Sequence, residues 1–136
     1  SYRIVMIGTN DNVDKLLPKR IISIYRTENQ QKLAEAYSAA DVYVNPTRED
    51  NFPTVNIEAL ACGTPVITFQ TGGSVEAPDE NTGIVVPLND INGLKCAIEK
   101  ICKDNIISRD ACRRRAENNF RDKDRFLDYI NLFSDC

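Results

Sequence analysis

Short apolar segments alternate with helical ones along this chain, and the alternation constrains the fold more than any other feature of the sequence. Strands are predicted at residues 2–8, 20–25, 41–44, 64–69 and 83–86, with helices between and after them, the last beginning at Asp122. This order is typical of a parallel sheet with helices on both faces. The predicted fold class is therefore α/β, a Rossmann-like parallel sheet, whose first strand is expected to be buried.

The length and net charge of the chain argue against some classes of function. A chain of 136 residues fits a single domain over residues 1–136, and no apolar run approaches the roughly 20 residues of a membrane span. A net charge of −3 without a basic patch argues against nucleic acid as a partner. No signal-peptide pattern is visible, so the expected location is the cytoplasm. Peripheral contact at the inner face of the plasma membrane is the alternative.

The cysteine and arginine patterns favour structural roles. The five cysteines form no C-x-x-C pair and the chain has no histidine, so no metal site is predicted. The run Arg113–Arg115 is predicted to be the solvated face of an amphipathic helix.

Residues 45–63 carry the main candidate site. They are predicted to form the end of a buried strand, a polar loop and a short helix closed by Gly63, with Asp50 in the loop and Glu58 about one turn into the helix. Free N–H groups at such a junction, with a carboxylate nearby, suit an anionic ligand that also carries hydroxyls, such as a nucleotide diphosphate sugar. Two plainer interpretations stay open: a helix-start charge at Glu58, and a self-capping loop around Asp50.

Two further loops follow predicted strands. Tyr25 and Arg26 come directly after the second strand and could pack against a base or contact a phosphate; a solvated arginine is the alternative. Gly72 and Gly73 could let the backbone approach a ligand closely, although a glycine pair also suits an ordinary loop.

Four motifs in register resemble the donor-binding half of the family 4 retaining glycosyltransferases of the GT-B fold. They are an acidic residue and a glutamate separated by seven residues, A-x-G-x-P-V at residues 61–66, G-G-x-x-E at 72–76 and T-G-x-x-V at 82–86. The resemblance covers about residues 2–102. Asp50 stands where glutamate is commoner, and the following Asn51–Pro53 resembles a capsule- and polysaccharide-synthesis branch.

The resemblance implies the following residue roles. Asp50 and Glu58 form the catalytic acidic pair, with Glu58 on the ribose and Asp50 near the donor sugar. The donor-binding positions are Asn51, Phe52, Pro53 and Thr54 for sugar and diphosphate, Tyr25, Arg26 and Thr27 for the base, and Gly72 and Gly73. The implied reaction is a hexosyltransferase-type transfer, with retention, from a UDP- or GDP-sugar to a saccharide or lipid-linked acceptor, without cofactor or metal.

The resemblance also implies an acceptor-binding domain outside residues 1–136, so the chain is expected to be one incomplete lobe of a two-domain enzyme and inactive alone. Two alternatives remain from the sequence: a nucleotide-sugar 2-epimerase-like GT-B lobe, and a non-catalytic α/β interaction module.

Overall fold

A computed structural model of the chain describes residues 2–51 and 53–120. Two compact units are present, residues 1–33 and residues 34–136, and each is described by itself. The helix predicted from Asp122 and the predicted site residue Phe52 lie outside the described residues. The assignment of residues 1–136 to a single domain stays a prediction.

The first unit is built on two parallel strands. Strand β1 (Ile4–Ile7) pairs with strand β2 (Ile21–Ile24), and the four-residue helix α1 (Asp11–Asp14) lies between them in sequence. The register places Ile4 opposite Ile21, and the N–H of Gly8 continues the ladder to the carbonyl of Ile24 over 2.9 Å. The predicted strand positions are confirmed.

The burial of β1 was predicted wrongly. All four of its residues are exposed, from Met6 at 37% to Val5 at 47%. A continuous apolar strand is buried only when layers cover both of its faces. The first unit offers β1 one paired strand and one four-residue helix, which leave its apolar side chains in contact with water.

Helix α2 (Gln30–Ala39) leads from the first unit into the second, which holds the larger sheet. The elements of the second unit are β3 (Tyr43–Asn45), α3 (Thr54–Ala61), β4 (Val66–Phe69), a 3-10 turn (Gly72–Val75), β5 (Gly83–Val86), α4 (Ile91–Asp104) and α5 (Arg109–Phe120). Among the described helices, none has the length and apolar character needed to cross a bilayer.

Strand β4 is the centre of this sheet. It pairs in parallel with β3 on one side and β5 on the other, with Val66 opposite both Tyr43 and Gly83. All four residues of β4 are buried, so both of its faces are covered, and α3 and α4 both pack against it. The α/β class with parallel strands and packed helices is confirmed, although the five strands form two sheets rather than one.

The sequence signals for helix ends are also confirmed. Asn29 and Ser108 cap α2 and α5, accepting from the backbone N–H groups of Lys32 (2.9 Å) and Ala111 (3.0 Å). Helix α3 stops at Gly63, whose φ of +77° is a left-handed conformation that few other residues adopt at low cost. Helix α3 packs against β3 and β4, and the loop that carries Asp50 leads into it.

The solvated face predicted over Arg113–Arg115 is confirmed only for Arg114, which is exposed, because Arg113 and Arg115 are half-buried. The guanidinium of Arg109 donates to the carbonyls of Ala40 (2.6 Å) and Gly63 (3.3 Å), which follow the ends of α2 and α3. Arg115 donates to the carbonyls of Glu76 and Ala77, both over 3.0 Å. Helix α5 packs against α3, so these side chains meet backbone carbonyls instead of water. The helical periodicity of the sequence does not reveal that backbone carbonyls from other elements lie beside these arginines.

Arg109→Ala is expected to lower the free energy of unfolding by about 2 kcal/mol, because two carbonyls lose a charged donor. Arg114→Ala is the matched control on the same helix, since Arg114 is 65% exposed and its ion pair with Asp110, at 3.4 Å, lies at the surface. That variant should change stability by about 0.5 kcal/mol or less. Urea denaturation measures both, and equal midpoints for the two variants would contradict the role assigned to Arg109.

Candidate functional site

Glu58 lies in α3, the most extensively buried of the helices that the structure describes in the second unit. All residues of α3 from Asn56 to Ala61 are buried, and Glu58 itself is 8% exposed. Its Oε2 atom accepts a hydrogen bond from the hydroxyl of Tyr37 over 3.3 Å. Burial raises the pKa of Glu58, and the bond from Tyr37 opposes that rise. A helix-start charge would lie in water, so this position does not fit that alternative.

The pKa of Tyr43 responds to the charges of both predicted carboxylates. Burial raises the pKa of Tyr43 to about 12, and the negative charges of Glu58 and then Asp50 add to the rise. Both carboxylates therefore influence the same ring, although they are eight positions apart in the sequence. That Asp50 and Glu58 form one site stays a prediction.

Gly72 and Gly73 lie directly against the loop that carries Asp50. The N–H of Gly73 donates to the carbonyl of Asp50 over 3.1 Å, and Gly72 adopts a φ of +47°. A Cβ built on Gly72 would lie 2.0 Å from that same carbonyl oxygen. The close approach expected of these glycines is therefore present, and the group they approach is the protein's own backbone. The predicted contact of the pair with a ligand stays a prediction.

Four buried or half-buried polar residues join the loop, the helix and the sheet in a closed circuit. The amide of Asn45 donates to Oδ1 of Asn56 (2.9 Å), and the amide of Asn56 donates to the carbonyl of Ser74 (3.2 Å). The hydroxyl of Ser74 is hydrogen-bonded to that of Thr68, which in turn donates to the carbonyl of Asn45 (3.1 Å). Buried networks of this kind hold their members in one arrangement when every polar group is satisfied. The circuit fixes the turn after β4 to the first turn of α3.

The other predicted residues of this loop lie at the start of α3. Pro53 is the N-cap residue and is buried, Thr54 is the first helical residue, and Asn51 is exposed. No side chain caps the helix at Pro53, and the first N–H groups of a helix have no partners within it. This end of α3 offers donors to an anion next to Asp50.

The residues predicted to pack a base belong to the first unit. Tyr25 is 49% exposed, and its hydroxyl donates to Oδ1 of Asp11 over 2.6 Å. That bond is the largest cause that raises the pKa of Tyr25 to about 12. Arg26 is exposed and Thr27 is half-buried in the segment after β2. An exposed ring and guanidinium at the carboxyl end of a parallel strand suit stacking on a base.

Sequence reasoning missed Tyr37 and the circuit around Asn56. Tyr37 reads as a core position on the apolar stripe of α2, and the partner of its hydroxyl lies 21 residues away. Asn56 carried a usable signal, because a polar side chain between apolar neighbours in a buried helix must find partners. In the described part of the chain, no group of three or more His, Cys, Asp or Glu side chains could hold a metal ion.

Gly72→Ala is expected to lower the free energy of unfolding by about 3 kcal/mol, because a left-handed φ and a clash with Asp50 act together. Gly8→Ala is the matched control, since Gly8 has a φ of +91° with open space where a Cβ would go. It should lose only about 1–2 kcal/mol from backbone conformation. Chemical denaturation compares the two variants, and equal losses would argue against the close approach at Asp50.

Nearly the whole length of this chain matches part of a solved structure. The chain is similar to the sucrose-phosphate synthase of Thermosynechococcus elongatus, with a TM-score of 0.78 and 29% sequence identity. The match covers 98% of this chain and 37% of that chain. The Rossmann-like fold described above is that of a lobe of a GT-B glycosyltransferase.

Sequence relatives point in the same direction. A D-inositol 3-phosphate glycosyltransferase from Mycobacteroides abscessus is 43% identical over 84 residues, which cover 61% of this chain and 17% of that protein. Another, from Mycobacterium marinum, is 31% identical over 110 residues, or 80% of this chain and 24% of that protein. The chain thus spans at most 24% of the length of either relative. Residues 1–104 match the family described as glycosyl transferases group 1, and the chain belongs to that family.

Proposed function

We propose that this chain is the donor-binding part of a family 4 retaining glycosyltransferase of the polysaccharide- or capsule-synthesis type. The enzyme moves a hexose from a nucleotide diphosphate sugar to a saccharide or lipid-linked acceptor. The observation that carries the proposal is Glu58, an acidic residue that is only 8% exposed in α3, the helix that follows the loop of Asp50. Membership of the group 1 glycosyltransferases supports the reaction class.

Glu58 is assigned to the ribose of the donor. A ribose presents two neighbouring hydroxyls, and a carboxylate can accept from both because it has two oxygens with free lone pairs. Glu58 is only 8% exposed, and hydrogen bonds gain strength where water is excluded. Bonds to a charged group contribute about 1.5–3 kcal/mol, which corresponds to about 10- to 100-fold in affinity.

Asp50 and the start of α3 are assigned to the sugar and the diphosphate. The carbonyl of Asp50 accepts from the N–H of Gly73, so the carboxylate is the group of Asp50 that we assign to the sugar hydroxyls. The diphosphate is assigned to the backbone around Asn51 and Thr54, because the N–H groups at a helix start and the helix dipole favour negative charge. Pro53 has no N–H to donate, and its contribution is the fixed backbone angle at the helix start.

The base is assigned to Tyr25, Arg26 and Thr27, where an exposed ring and guanidinium offer stacking surfaces. The donor is UDP- or GDP-linked, and the proposed reaction needs no cofactor or metal. The acceptor is assigned to a part of the enzyme outside residues 1–136, and these residues alone are expected not to turn over. The family match supports transfer over a 2-epimerase-like activity and over a non-catalytic interaction module.

Glu58→Gln is expected to weaken the binding of UDP and GDP by about 10- to 100-fold, because a neutral amide replaces the charged acceptor. Calorimetric or NMR titration with UDP, GDP, UDP-glucose and GDP-mannose measures the dissociation constants. Glu99→Gln is the matched control, since Glu99 is 57% exposed on α4 and pairs with Lys103. That variant should bind nucleotide as the unchanged protein does.

A deoxyribose probe sharpens this test. Because the assigned partner of Glu58 is the ribose diol, 2′-deoxy-UDP should bind more weakly than UDP to the unchanged protein and about equally to the Glu58→Gln variant. Absence of binding at millimolar UDP and GDP would reject the proposed donor, and an unchanged affinity in Glu58→Gln would reject the ribose assignment.

Donor binding should also depend on pH through Glu58. Burial raises the pKa of this carboxyl, and only the ionised form accepts from both ribose hydroxyls. The affinity should therefore be full above the raised pKa and fall as the pH drops through it, at a higher pH than for an exposed glutamate. Titration with UDP-glucose from about pH 8 to about pH 5 measures this fall. The fall should be absent in Glu58→Gln, and an identical profile in both proteins would contradict the assignment.

A further inference from the structure

Tyr37 is the described side chain that donates to the carboxylate of Glu58. It lies on α2 and is 8% exposed, and its hydroxyl reaches Oε2 of Glu58 across 21 residues of sequence. None of the motifs in the sequence includes this position. The contact joins α2 to α3, the helix that carries the proposed ribose-binding group.

Contacts with Thr64 and Tyr43 hold the backbone and the ring of Tyr37 in place. Its backbone carbonyl accepts from the hydroxyl of Thr64 over 2.5 Å, which fixes the chain at this turn of α2. Its ring meets that of Tyr43 edge to face, with centroids 5.3 Å apart and an interplanar angle of 80°, a favoured aromatic geometry. A phenol on a side chain with two rotatable bonds, packed in this way, has little freedom to move its hydroxyl away from Glu58.

The bond matters because Glu58 is buried. Burial disfavours the charged form of the carboxyl and raises its pKa, whereas the hydrogen bond from Tyr37 favours the charged form and lowers it. A donor on one oxygen also restrains rotation of the carboxylate plane, so both oxygens keep defined positions. The two effects together prepare an ionised acceptor in one orientation.

We propose that Tyr37 is a positioning residue for Glu58, which holds the carboxylate ionised and oriented to accept from the ribose diol of a nucleotide sugar. The inference rests on the donor-binding function proposed above. It assigns to α2 a part in donor recognition and predicts that the phenol hydroxyl, rather than the ring, supplies it.

Other titratable groups surround the pair. Tyr43 on β3 responds to the charges of Glu58 and Asp50, and Cys62 at the end of α3 adds to the rise of the pKa of Tyr37. The hydroxyl of Tyr43 forms no hydrogen bond with the carboxylate of Glu58 within the described part of the chain. Tyr43→Phe is therefore a matched control, because it removes the same group from the same cluster without removing the bond.

The first experiment needs no nucleotide. Carbon-13 NMR of the glutamate side-chain carboxyls follows the titration of Glu58 in the 136-residue chain, with Glu58→Gln identifying its signal. Tyr37→Phe keeps the ring and should move the Glu58 titration to higher pH, whereas Tyr43→Phe should move it much less. Superimposed titration curves for Tyr37→Phe and the unchanged protein would overturn the proposal.

A second substitution guards against a folding defect in Tyr37→Phe. Fluorotyrosine introduced at position 37 alone keeps the hydroxyl and makes it more acidic, so it donates more strongly to the carboxylate. The Glu58 titration should then move to lower pH, opposite in direction to the effect of Tyr37→Phe. A purely structural role for Tyr37 predicts no such pair of opposite shifts, and their absence would count against the proposal.

The second experiment measures binding of UDP-glucose and GDP-mannose against pH. Tyr37→Phe should weaken the binding that the unchanged protein shows by about tenfold near neutral pH, with the fall at low pH displaced upward, while Tyr43→Phe should follow the unchanged protein. Equal affinity and an equal pH profile in Tyr37→Phe would overturn the positioning role. If neither nucleotide sugar binds the unchanged protein, the proposed function fails, and the carboxyl titration still decides whether Tyr37 controls Glu58.

Discussion

Burial of α3 around most of its circumference is the constraint on which the second unit depends. The helix lies among β3, β4 and α5, and its residues from Asn56 to Ala61 are all buried. Each polar side chain on it must therefore find partners inside the protein. Asn56 meets the amide of Asn45 and the carbonyl of Ser74, and Glu58 meets the hydroxyl of Tyr37. These contacts determine where the loops around the helix lie.

The same constraint links the two halves of the candidate site. The circuit through Asn56 and Ser74 anchors the turn after β4, and Gly73 in that turn binds the carbonyl of Asp50. The loop that carries Asp50 is thus held by the turn, which is held by the helix that carries Glu58. The backbone at Asp50 and the helix of Glu58 are thus ordered by contacts within the protein, and groups ordered in advance reduce the ordering cost of binding a ligand.

Much of this arrangement was predictable and some of it was not. The glycine turn and the helix stop at Gly63 were identified from residue types and spacing, because each reflects a local backbone requirement. The acidic pair was assigned through the resemblance to a family and stays a prediction. The hydrogen bond to Glu58 from Tyr37 was not, because a tyrosine on an apolar stripe gives no sign of where its hydroxyl points. The exposure of β1 was also missed, since an apolar strand does not show which layers cover it.

The sequence by itself determined the α/β class, the parallel strands and the helix caps, because these depend on neighbouring residues and on periodicity. Only the tertiary structure decided that Glu58 is buried and that Tyr37 donates to it. It also decided that Arg109 and Arg115 bind backbone carbonyls rather than water. The physical reason is that burial and long-range hydrogen bonding depend on which elements pack together. No local pattern in the sequence predicts which elements these are.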